Sequence, residues 1–179
     1  MGGRDASLGP GARSAATVPD DACGPSSTAL RGDLESVAAL LGRRPSAAFE
    51  VSVRDAHGAP MVIRNAPLTD DGTPMPTLYY LVDPALVRRV GTLEASGGVK
   101  RAEAEVGLDA IAATHERYAA ERDADLPERW DGPRPTGGVG GTRRGLKCLH
   151  AHYAHHLAGG DDPVGRWVER HLGDVEDGR

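Results

Sequence analysis

Residues 77–82 read Thr-Leu-Tyr-Tyr-Leu-Val, and Asp83-Pro84 follow at once. Aromatic and branched side chains suit a pleated, half-buried strand. An aspartate that can cap, with proline at the first helical position, starts a helix. The chain must therefore turn from strand to helix at this point, and the segments on either side agree. Before it, residues 48–53 (Ala-Phe-Glu-Val-Ser-Val) alternate as a strand, His57-Gly58 makes a turn, and Met61-Val62-Ile63 is the returning strand. The run Asp70-Asp71-Gly72-Thr73-Pro74 is turn chemistry. Beyond Pro84, Leu86, Val87, Val90 and Leu93 share a helical face that ends at Gly97-Gly98. Further helices are predicted over 99–106, 109–125 and 145–158, and from Asp162-Pro163 onward, where Val164, Trp167, Val168 and Leu172 face inward. In the 109–125 helix, Ile111, His115, Tyr118 and Ala119 form the inner side, with Glu116, Arg117, Glu121 and Arg122 towards solvent. Strands first and helices afterwards give an α+β fold: a small antiparallel sheet of about three strands packed against several helices.

A short helix capped by Asp33 and stopped by Gly42 should open the domain, placing it at residues 33–179. Residues 1–32 are mostly Gly, Ala, Ser, Pro and Asp, too poor in large apolar groups to offset the entropy of ordering, and are expected to be a disordered tail. That tail lacks the apolar core of a secretory signal. No run of about eighteen apolar residues exists, so neither a membrane span nor a membrane partner is expected. A net charge of -5 argues against nucleic-acid binding driven by overall charge. Cys23 and Cys148 cannot build a disulfide framework, which fits a reducing, cytoplasmic setting.

One segment concentrates chemistry. Four of the seven histidines lie between His150 and His156, just after Cys148. On a helix extended through this segment, Cys148, His152, His155 and His156 fall within an arc of about 100°. A thiolate and imidazoles on one face suit a borderline divalent metal such as zinc. His150 points the opposite way, among Leu146, Tyr153 and Leu157, and becomes the buried histidine if that side meets the sheet. A polar surface face with one core histidine is the plainer reading of the same pattern. Just upstream, Gly138, Gly140 and Gly141 precede Arg143, Arg144 and Lys147. Glycine-rich backbone ahead of a helix can turn its N–H groups towards an anion, and three cations add charge. A simple flexible loop explains the glycines equally well. The spacing is not that of a nucleotide-binding lysine loop.

These stretches together resemble a bacterial family known as domain of unknown function 501, widespread in high-GC Gram-positive bacteria. The residues that carry the resemblance are DGTPMPTLYYLVDP (71–84), GTLEASGGV (91–99), GGVGGTRRGLKCLHAHYAHHLAGG (137–160) and DPVG (162–165). The resemblance implies cysteines in the first hairpin turn, before the proline after the strong strand, and in the Lys-Cys-Leu-His motif. Such thiols with a nearby histidine would make a zinc or iron–sulfur site. The matching positions here are Asp55, Asp83 and Cys148, so an iron–sulfur cluster is not expected. What the resemblance leaves is a harder site of Asp55, Asp83, Cys148 and His150 or His152, with His57 from the same turn. The alternative is a lost site, with Asp83 a helix cap and Asp55 a turn residue.

Three functions follow as expectations. The first is a metal- or anion-binding site at the start of the Cys148 helix. The second is a hydrolase or transferase acting on a phosphorylated small molecule, which requires Arg143 or Arg144 and a histidine around one cleft. The third is a protein-interaction module, which requires an exposed apolar patch at Val164, Trp167 and Val168.

Overall fold

The computed structural model describes residues 27–177, with side chains described for 32–173. The tail expected over 1–32 lies largely outside the described residues. Its last six positions belong to the first helix, α1 (Ser27–Leu41), which starts earlier than the Asp33 cap predicted. Asp33 instead takes both carboxylate oxygens to Arg54, at 2.7 and 2.8 Å.

Strands β1 (Phe49–Arg54), β2 (Pro60–Asn65) and β3 (Tyr79–Leu81) form one antiparallel sheet in that order. Val51 faces Ile63 across the first pair, and Val62 faces Leu81 across the second. β3 is shorter than the six-residue strand predicted over 77–82. The amide of Leu78 leaves the ladder and donates to the Tyr118 hydroxyl at 2.6 Å. The helices that follow are α2 (Pro84–Ala95), α3 (Gly98–Val106), α4 (Leu108–Ala124), α5 (Leu149–Leu157) and α6 (Pro163–Asp177), with a 3₁₀ turn at Val139–Gly141 before α5. Among the described residues no helix is long and apolar enough to cross a membrane.

Alternation in the strands gives the sheet two apolar faces. Ile63 and Val82 meet Val37 of α1 on one side. Val62, Tyr79 and Leu81 enter the larger core on the other, with Ile111, Tyr118, Leu149, Val164, Trp167 and Val168. Trp167 is fully buried and its indole N–H donates to Glu105 at 2.7 Å. The apolar side of α6 is thus core, and the patch an interaction module would need there is covered by the fold itself.

The inner side of α4 contains Ile111, His115 and Tyr118 as expected, but it also includes Arg122, assigned to solvent from sequence. Its side chain is 1% exposed. The guanidinium donates to the carbonyls of Pro76, Gly137 and Pro135 and pairs with Asp123 at 2.8 Å. It ties the segment before β3 to the approach of the glycine loop, a role that helical periodicity cannot reveal. Truncating it leaves three carbonyls without their donor. We expect Arg122→Ala to cost about 2–4 kcal/mol in urea unfolding, and a cost within 0.5 kcal/mol of zero, the range of ordinary surface changes, would contradict this anchoring.

Candidate functional site

α5 is buried around most of its surface, so its histidines answer to different neighbours. The helix begins at Leu149, not near Gly145, because Gly145 holds a left-handed φ of +62° and Leu146 N–H donates to Glu103. Cys148 is the N-cap, in extended backbone at φ -151° and ψ 126°. A helical arc drawn from Cys148 to His152 therefore does not apply, and the two residues part company.

His152 and His155 turn inward together. They are 1% and 3% exposed, so the buried histidines are these and not His150. Each Nδ1 meets the same oxygen, Oδ2 of Asp162, at 2.8 and 3.0 Å. The other oxygen of Asp162 accepts the N–H groups of Val164 and Gly165, both at 2.9 Å, and so caps α6. The two imidazoles and these amides hold the Asp162 carboxyl well below the usual carboxylate range, against the effect of burial. An ionised Asp162 accepts, so both Nδ1 atoms carry hydrogen. His152 Nε2 is then left buried without a partner. His155 stacks on Tyr79, and Gly160 lies against its ring, where a Cβ would collide with the imidazole.

His150 faces α2. Its Nε2 lies 3.0 Å from the Val87 carbonyl, which can only accept, so Nε2 carries hydrogen. Its Nδ1 lies 3.6 Å from Cys148 Sγ and 3.2 Å from Glu94 Oε1. Among the described residues, Glu94, Cys148 and His150 are the group whose ligand atoms all lie within 4.8 Å of one another. All three are half-buried. Cys148 first, then the Val87 carbonyl and Glu94, push the His150 imidazole up to about 9 against partial burial. A raised histidine stabilises the fold in its charged form: the contribution is complete below about pH 6.5 and is lost as pH rises through about 9.

The other metal candidates do different work. Asp55 Oδ1 accepts the N–H groups of His57 and Ala59, both at 2.8 Å, inside the hairpin turn. Asp83 caps α2 through Leu86 N–H at 2.7 Å. His152 is committed to Asp162. The structure does not bring Asp55, His57, Asp83 or His152 into the Cys148 group. Glu94 is the member of this group that sequence reasoning missed. The signal was present, since it is the one acidic residue in the 91–99 stretch.

The glycine loop closes on itself. Gly138 N–H donates to Thr142 O, Gly141 N–H to Gly138 O, and Thr142 N–H to Val139 O. These amides are spent within the loop and do not form the anion nest expected of Gly138 and Gly141. Gly140 sits at φ +60° within the same turn. Gly138 is also glycine by contact, because a Cβ there would collide with His115. Val139 N–H donates to His115 Nδ1 at 3.1 Å, so Nε2 holds the ring hydrogen and donates to Gly145 O at 2.9 Å. Burial lowers the His115 pKa. Arg143, Arg144 and Lys147 are exposed. Arg143 and Arg144 line a cleft with His115, as an enzyme would need, but both nitrogens of that histidine are occupied by backbone.

Residues 51–170 match the family described as protein of unknown function DUF501, over most of the described residues. The chain belongs to the DUF501 family. No curated protein and no solved structure matches it. The DUF501 region thus contains β2, β3 and every residue of the Glu94–Cys148–His150 group, while α1 lies before it.

Asp162 supplies the sharpest test of this architecture. Asp162→Asn leaves two buried imidazole donors facing an amide, and we expect a loss of about 3–5 kcal/mol at pH 7. Because the native carboxyl is depressed, its contribution is present above about pH 4 and fades as pH falls below that. Denaturant unfolding against pH should therefore show the variant and the parent converging in acid. A constant gap from pH 7 to the acid limit would contradict the assignment.

Proposed function

We propose that this DUF501 protein binds a borderline divalent metal such as zinc through Glu94, Cys148 and His150. The observation that carries the reading is the pair of separations at His150 Nδ1. A tetrahedral ion about 2.3 Å from sulfur and about 2.0 Å from nitrogen holds those atoms about 3.5 Å apart. Nitrogen and oxygen ligands at about 2.0 Å stand about 3.3 Å apart. The corresponding distances are 3.6 and 3.2 Å.

The surroundings agree with that chemistry. A ligating imidazole usually donates its other N–H to a carbonyl or carboxylate, fixing its tautomer, and Val87 O takes this part for His150. Leu149 N–H donates to Glu94 Oε1 at 2.5 Å, which orients the carboxylate. A Cys–His–Glu catalytic arrangement fits less well, because thiol and carboxylate share one ring nitrogen instead of occupying both. Three protein ligands leave a position for water, the pattern of an open site. Cys148, a cysteine outside any disulfide, is also the support for placing the protein in the cytoplasm.

The test uses protein purified without a histidine tag. Elemental analysis should find about one metal per chain, and free zinc at 100 times Kd should add about 2.7 kcal/mol of stability. Cys148→Ala and His150→Ala should each abolish both effects. Absence of stoichiometric metal, with stability unchanged by zinc or chelator, overturns the reading.

A further inference from the structure

A cleft of about 630 Å³ opens where α3 and α4 meet the loop after the 3₁₀ turn. That is within the size range of small-molecule sites. Arg143 and Arg144 line it from the loop, and Asp109 and Glu116 from α4. Leu108, 59% exposed, and Ala112 add apolar wall. Among the described residues none of these four charged side chains forms an ion pair or a side-chain hydrogen bond. Both signs of charge thus share one cleft without neutralising each other.

The wall that carries the arginines is firmly held. His115 grips the loop at Val139 N–H and at Gly145 O. Glu103 fixes the next residue through Leu146 N–H at 2.8 Å. Positioning of this kind lowers the ordering cost of binding.

We propose that this cleft binds a small phosphate-bearing molecule as its complex with a divalent cation. A bare anion would gain the arginines but face Asp109 and Glu116, and a bare cation would meet the reverse. A magnesium–phosphate chelate satisfies both: guanidinium groups bind phosphate oxygens in pairs, and magnesium takes one or two carboxylates in addition to phosphates. The site is one of binding, since His115 has no ring nitrogen free for proton transfer. It uses residues separate from Glu94, Cys148 and His150, so either proposal can fail alone.

Calorimetry on the full chain, with pyrophosphate as the probe, tests the proposal. Magnesium pyrophosphate should bind at least about tenfold tighter than pyrophosphate in chelator or magnesium alone. Arg143→Ala/Arg144→Ala should weaken it at least about tenfold. Asp109→Asn/Glu116→Gln should remove the magnesium dependence, and both double variants should melt like the parent because all four side chains are exposed. No binding of magnesium pyrophosphate, equal binding without magnesium, indifference to either double variant, or equally tight magnesium citrate would each overturn the proposal.

Discussion

The fully buried carboxylate of Asp162 organises the end of this fold. One oxygen caps α6 and the other receives two histidines of α5, so a single charge joins two helices and the turn between them. Taking that charge out of water costs several kcal/mol unless every lone pair finds a donor, and here four donors converge. The consequence reaches beyond stability. With His152 and His155 turned towards Asp162, the rotation of α5 about its axis is set. His150 lies two residues before His152, about 200° round the helix, and must therefore face away, towards Val87 and Glu94 of α2. The meeting of Glu94, Cys148 and His150 is in this sense a product of the Asp162 contact.

The same economy explains how a chain with four Tyr, two Trp and one Phe fills its interior. Several polar side chains, among them Asn65, Thr114, His115, Arg122, His152, His155 and Asp162, are buried beside the apolar core, and most are paired. Arg122 gathers carbonyls before β3 and around the glycine loop, Tyr118 accepts the amides of Leu78 and Tyr79, and His115 holds both ends of the loop before α5. Such groups specify one arrangement because any shift leaves a buried donor or acceptor unpaired. The unpartnered Nε2 of His152 stands out against that background.

What the sequence disclosed follows from the range of each interaction. The hairpin, the Asp83-Pro84 switch and the inward face of α6 depend on neighbours a few residues away, and pattern alone finds them. The α+β class follows from their order. The site was only half legible. Cys148 and His150 stand two residues apart and could be named, whereas Glu94 joins them from another helix and no local period points to it. Helical spacing also misled where backbone geometry changed. It ran through Cys148 as if the helix began earlier, and it gave Arg122 to solvent because a charged residue was assumed to want water. The glycines before Arg143 looked like an anion nest. They serve close contact with His115 and a turn that consumes its own amides, facts that belong to tertiary packing.

X-ray absorption on zinc-loaded protein addresses the central claim most directly, because it reads the ligand atoms themselves. Ligation by Cys148, His150 and Glu94 predicts one sulfur at about 2.3 Å and lighter ligands at about 2.0–2.1 Å, with multiple scattering from a single imidazole. A shell of nitrogen and oxygen alone, or one dominated by several histidines, would contradict it.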